Sequence, residues 1–313
     1  MNYIKPKKLR RKDLIGIISP ASATNDEKLV ENGIKYIESL GYKTIVGKNV
    51  GKVRGYLAGT DEERIDDIHQ MFGDKNVKAI FCLRGGYGAF RLLDKIDYKL
   101  IQKNPKIFVG FSEITALQMA FLKKSNLISF AGPMVVPNFS SEIDTFTEER
   151  FWRSITSTAS RERIQISAKQ QLSKIKIGQT TGRLIGGNLS VFSALIGTGY
   201  VPELMNKILF LEEIDEPPYK IDRMLNQLKL NNSFKKLNGI ILGSFKGCIE
   251  QDKNKKTLTL EEVWNDYFES VKIPVIHSFP HGHIKDMVTM PLGIKVRMNM
   301  KKKFVEFTES GVR

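Results

Sequence analysis

Two apolar runs, residues 77–83 and 107–111, limit what this 313-residue chain can become. Each is too short for a buried helix, and each passes through glycine or serine into a helix-like segment. Strands that are apolar on both faces and alternate with helices predict a parallel sheet covered on both sides. The surrounding residues repeat the pattern. Residues 14–19 and 44–46 are further strand candidates. Asn25 is placed to cap a helix carrying Leu29, Val30, Ile34, Ile37 and Leu40 on one face, with Gly41 at its end. Thr60-Asp61-Glu62-Glu63 reads as a capping box, opening a helix with Ile65, Ile68 and Phe72 inward. Helices around 90–93 and over 113–123 complete this half.

The texture changes after Val136. Residues 137–141 read as loop, and Thr145-Phe146-Thr147-Glu148 opens a helix containing Trp152. Ser, Thr, Gln and Lys then dominate up to Thr181, and residues 141–181 are read as a linker. Beyond it, 207–212 and 239–245 read as buried strands. Pro218–Leu230 reads as a helix between them, with proline in its first turn. Residues 294–307 alternate like strands with one exposed face.

Composition removes several function classes. No apolar run approaches the ~20 residues of a membrane helix. A basic lead-in precedes the apolar residues 14–18, but Pro20 closes that run short of a secretory h-region, so a buried first strand is expected. The two cysteines, Cys82 and Cys248, are too few for a disulfide framework, which fits a reducing, cytoplasmic compartment. A net charge of +15 raises nucleic acid as a partner. The lysines are scattered among acids, however, as in Glu27-Lys28 and Asp94-Lys95, and no recognition motif accompanies them. The expectation is a solvated lysine-rich surface, with no nucleic-acid and no membrane partner.

Four constellations carry possible chemistry. Gly110-Phe111-Ser112-Glu113-Ile114-Thr115 sets a serine between a strand and a helix. Ser112 is either a nucleophile on a sharp turn, with the Glu113 N–H aimed at an oxyanion, or a plain helix cap bonding the N–H of residue 115. Arg84-Gly85-Gly86-Tyr87-Gly88 follows a buried strand. It reads as a tight turn, a weak phosphate loop or a second oxyanion donor. Glu212 and Glu213 end an apolar strand, where one carboxylate can orient a base or both can act as caps. His277, His281 and His283 cluster in a Pro–Gly loop, raising a metal site with Glu212 or Asp286, yet without regular ligand spacing; a general base is the better reading. His69, the fourth histidine, is expected on a helix surface.

Together these segments resemble the LD-carboxypeptidase family of serine peptidases, which includes the microcin-immunity peptidases. The resemblance rests on Ile17-Ile18-Ser19-Pro20-Ala21-Ser22, the loops at Arg84 and Ser112, Gly182-Arg183-Leu184-Ile185-Gly186-Gly187-Asn188-Leu189, Phe210-Leu211-Glu212-Glu213 with Tyr219-Lys220-Ile221-Asp222-Arg223-Met224-Leu225, and Gly282-His283 before Met290-Pro291-Leu292-Gly293. It implies an α/β fold: a Rossmann- or flavodoxin-like parallel-sheet domain over 1–140 and a smaller β-rich domain over 182–313. The segment 182–189 is read as a loop that could shape the pocket.

The same resemblance implies a Ser–His–Glu triad of Ser112, His283 and Glu212, with Glu213 left as an alternative acid. It places oxyanion donors at the backbone N–H groups of Glu113 and Gly86, with Gly85 left as an alternative to Gly86, and substrate contacts at Arg84, Gly85 and Tyr87. The family's serine is more often followed by Asp; because the backbone N–H makes the contact, Glu113 is expected to matter little. Neither metal nor organic cofactor is implied. The expected activity is release of D-Ala from murein tetrapeptides by a cytoplasmic homodimer in cell-wall recycling. The rivals are inactivation of a peptide–nucleotide antibiotic and a non-catalytic muropeptide binder.

Overall fold

The computed structural model describes residues 3–24, 26–159, 161–170, 172 and 179–313. They form two compact units: Met1–Ser160 with Lys285–Gly293 and Ser310–Arg313, and Arg161–Ile284 with Ile294–Glu309. No helix of the described residues is long and apolar enough to cross a membrane.

The first unit alternates β1 (Leu14–Ile18), α1 (Glu27–Ser39), β2 (Lys43–Val46), α2 (Asp61–Gly73), β3 (Val77–Cys82), α3 (Tyr98–Lys103), β4 (Ile107–Gly110), α4 (Thr115–Ala120) and β5 (Ser129–Ala131). Helix α5 (Thr145–Thr156) follows, inside the stretch expected as linker. The strands pair in parallel in the order β2-β1-β3-β4-β5, and Met290–Leu292 adds an antiparallel sixth strand beside β5. Ile80, Phe81, Phe108 and Val109 of the central strands are fully buried, as strands covered on both faces require. Burying each such side chain stabilises the unit by about 1.5–3 kcal/mol.

Local signals explain the helix starts. In α2, Thr60 Oγ1 accepts from Glu63 N and Glu63 Oε2 accepts from Thr60 N, the reciprocal capping box. Asn25 lies outside the described residues; Asp26 caps α1 by accepting from Leu29 N. His69 is half-buried and its Nε2 accepts the Asp97 N–H, tying α2 to the start of α3. In this strand order the chain leaves β1 toward β2 and leaves β3 toward β4, on opposite sides, and open α/β sheets bind ligands at such a switch point.

The second unit begins with β6 (Arg163–Gln165) and β7 (Thr180–Asn188). It continues through α6 (Leu189–Leu195), β8 (Lys207–Ile214), α7 (Pro218–Leu230), α8 (Ser233–Lys236), β9 (Gly239–Lys246), α9 (Leu260–Phe268) and β10 (Val275–Ile276). After β11, the Met290–Leu292 strand of the first unit, come β12 (Lys295–Asn299) and β13 (Phe304–Phe307). Strands β7, β8, β9 and β10 are parallel and carry the helices between them, while β12, β13 and β6 extend the sheet antiparallel.

One expectation is corrected here. Residues 182–189 are not a loop but run through β7 into the start of α6. Their glycines serve a close strand pair: a Cβ at Gly186 would stand 1.8 Å from the Phe210 carbonyl oxygen, so only glycine lets β8 approach.

Candidate active site

In the first unit the site grows from the carboxyl ends of β3 and β4. Strand β4 ends at Gly110, and Ser112 sits two residues on at φ 60°, a left-handed conformation costly for a side-chain-bearing residue. A turn of this kind lifts a serine hydroxyl clear of the sheet edge. The helix-cap reading finds no support, because the Thr115 N–H donates to the backbone oxygens of Ser112 and Glu113. The first bond of the 3₁₀ turn Ser112–Ile114 runs from Ile114 N to the Phe111 oxygen, which leaves the Glu113 N–H ahead of the hydrogen-bond ladder.

The glycine loop after β3 packs against this turn. A Cβ on Gly85 would lie 3.2 Å from Ser112 Cβ and 3.5 Å from Glu113 N, so loop and serine are in van der Waals contact. Gly86 and Gly88 take φ 105° and 114°, where glycine is the natural occupant. Ser22 braces the loop: its Oγ accepts the Tyr87 N–H at 3.0 Å, and its N–H donates to the Gly85 oxygen. Among the described residues, the Gly85 and Gly86 N–H groups have no acceptor. Arg84 is half-buried and donates to the Ala23 carbonyl, whereas Tyr87 is exposed and packs edge-on against Tyr56.

The Glu113 side chain, as well as its backbone, takes part in the local structure. Its side chain is buried, and Oε1 accepts the N–H groups of Gly88 at 2.8 Å and Ala89 at 2.7 Å. Burial pushes this carboxyl above its ordinary value, opposed by the loop N–H donors and by Arg64.

The second unit separates the two adjacent acids by face. His283 Nδ1 lies 2.8 Å from Glu212 Oε2, and Glu212 is 1% exposed. Glu213 points to the other face of β8. There it accepts from Asn188 Nδ2, Ser190 N and Ile214 N, at the start of α6. Burial raises the Glu213 pKa against those donors. The pairing of β8 with β9 slips by one residue between Leu211 and Glu213, so that Glu212 stands opposite an extra residue of β9 at Gly243–Ser244. Gly243 and Gly282 leave the room it needs, since a Cβ on either would stand 3.2 Å from Glu212 Cβ.

The three clustered histidines diverge. His281 is fully buried, edge-on to Phe210 at 4.8 Å. His277 places Nε2 2.9 Å from the Lys169 carbonyl oxygen and Nδ1 2.9 Å from Ser278 Oγ. His283 is the histidine whose ring pairs with the Glu212 carboxylate. The structure thus brings Ser112, Gly85 and Glu113 together in one unit and Glu212 with His283 in the other.

A serine on a strained strand-to-helix turn and a histidine held by a buried carboxylate are the parts of a serine-type peptidase, and the relatives of this chain agree with that class. Residues 15–132 match the LD-carboxypeptidase N-terminal domain and residues 181–298 the LD-carboxypeptidase C-terminal domain. The chain belongs to the LD-carboxypeptidase family and is a serine-type peptidase hydrolase. It is 38% identical to the probable murein peptide carboxypeptidase of Bacillus subtilis, over all of this chain and 96% of that one. Its fold is similar to that of muramoyltetrapeptide carboxypeptidase from Oxalobacter formigenes, with TM-score 0.83 and 30% identity over 94% of this chain and 97% of that one. It is also similar to the microcin C7 self-immunity protein MccF in complex with aspartyl sulfamoyl adenosine, with TM-score 0.88 and 27% identity over 99% and 100% of the two chains.

Proposed function

We propose that this protein is a cytoplasmic, homodimeric LD-carboxypeptidase that releases terminal D-Ala from murein tetrapeptides during cell-wall recycling. The observation that carries the reading is the His283–Glu212 pair, with Nδ1 and Oε2 2.8 Å apart. A proton held on Nδ1 by the carboxylate leaves Nε2 as the basic nitrogen. In this reading Ser112 Oγ attacks the carbonyl of the L–D amide and passes its proton to His283 Nε2. The Glu113 and Gly86 N–H groups bind the developing oxyanion. Collapse of the tetrahedral intermediate expels D-Ala, whose amine takes the proton back from His283. Water, deprotonated by His283, then hydrolyses the ester at Ser112. Arg84, Gly85 and Tyr87 border the substrate.

The similarity to MccF supports a second reading, in which the same residues cleave a peptide–nucleotide antibiotic. Competition decides between them. The purified protein is given a D-Ala-terminated murein tetrapeptide and aspartyl sulfamoyl adenosine together, with both products followed by mass spectrometry. A higher kcat/KM for the tetrapeptide is expected; the reverse preference overturns the murein reading.

A further inference from the structure

We infer that the Glu113 side chain is a positioning residue that clamps the glycine loop to the nucleophile turn and so fixes the spacing between the two oxyanion donors. The inference rests on the serine-peptidase reading above and deepens it. Glu113 acts twice. Its main-chain N–H is one donor, and its side chain holds the segment that carries the other.

Leu83 N donates to the Ile18 oxygen, at the sheet edge. Tyr87 N is taken by Ser22 Oγ, and the N–H groups of Gly88 and Ala89 by the single atom Glu113 Oε1. The Gly88 peptide is gripped from its other side as well, because its carbonyl accepts from Arg64 Nη1 at 2.8 Å, and Arg64 is 1% exposed. Among the described residues the N–H groups of Arg84, Gly85 and Gly86 are left over, with Gly85 against Ser112 and Gly86 against Ser22. A carboxylate on the residue after the nucleophile therefore decides where those donors stand. Oxyanion donors act only when held near 2.7–3.1 Å from the developing charge, so a small drift of the loop weakens them in the transition state while leaving ground-state binding nearly unchanged.

The grip depends on reach and on an acceptor oxygen, more than on charge. Gln has the same length and keeps a carbonyl oxygen for both N–H groups. Asp keeps the charge but is one methylene short. The experiment measures D-Ala release from the tetrapeptide and the rate of Ser112 phosphonylation by a fluorophosphonate, in the full chain and in Glu113→Gln, Glu113→Asp and Glu113→Ala. All are assayed well below their melting temperatures. Glu113→Gln is expected within about threefold of wild type in both assays. Glu113→Asp and Glu113→Ala should lose about ten- to hundredfold in kcat with KM nearly constant, and lose phosphonylation rate in proportion. Should Glu113→Ala fail to fold, Glu113→Asp carries the test.

Wild-type rates in Glu113→Asp, or Asp outperforming Gln, overturn this inference alone. A wild type that neither reacts with the fluorophosphonate at Ser112 nor releases D-Ala overturns the serine-peptidase reading and the inference with it.

Discussion

His283 Nδ1 and Glu212 Oε2 are 2.8 Å apart, whereas Glu213, the next residue on the same strand, is bound by donors at the start of α6. Two neighbouring buried carboxylates thus have different work. Glu212→Gln should lower kcat by at least about a hundredfold with little effect on folding, because it disturbs the histidine tautomer. Glu213→Ala should instead cost about 1–3 kcal/mol of stability by stranding buried donors. Urea denaturation and steady-state kinetics on both variants check the split; equal kinetic losses would contradict it.

The raised pKa of Glu213 carries a sign for stability. A carboxyl whose folded pKa lies above its ordinary 4.5 binds its proton more tightly in the native state. Its contribution is fully present below the unfolded value and is lost as pH rises through the folded one. The stability of Glu213→Gln relative to wild type should therefore increase as pH rises above the ordinary 4.5. Urea midpoints across that range test this, and a difference independent of pH would contradict it.

Ser112 at φ 60° stores strain. Ser112→Gly should raise stability by about 1 kcal/mol while abolishing turnover, as expected where activity requires an unfavourable backbone. Thermal denaturation reads this directly. An unchanged or lower melting temperature would count against a strained turn.

Gly85 lacks a positive φ, so alanine there meets crowding rather than backbone strain. Its Cβ would stand 3.4 Å from Ser112 Oγ. Gly85→Ala should cut kcat/KM by about tenfold or more, with stability changed by no more than about 1 kcal/mol. Parallel kinetics and denaturation separate the two effects.

Much of this was legible in the chain itself. The strand-to-helix turn at Ser112 follows from an apolar run meeting glycine, and Pro218–Leu230 has the helix bounds its proline and periodicity suggest. The capping box at Thr60 is read from four residues. What escaped depends on distant contacts. Met290–Leu292 joins the first sheet through a partner over a hundred residues away, which no local pattern records. The glycines of 182–187 suggest a loop until Phe210 is seen pressed against Gly186. Glu212 and Glu213 are alike in sequence, and only strand alternation and the bulge at Gly243 tell them apart. The bonds from the Gly88 and Ala89 N–H groups to Glu113 Oε1 join segments that only the fold brings together, so no local pattern records them.

Ser112 is the proposed nucleophile of an LD-carboxypeptidase reaction. The most direct measurement incubates a purified murein tetrapeptide with wild type and with Ser112→Ala, and quantifies D-Ala by mass spectrometry over a range of pH. Release by wild type is expected, with release at least about a thousandfold slower by the variant. No release by wild type at any pH, or equal release by both proteins, would contradict it.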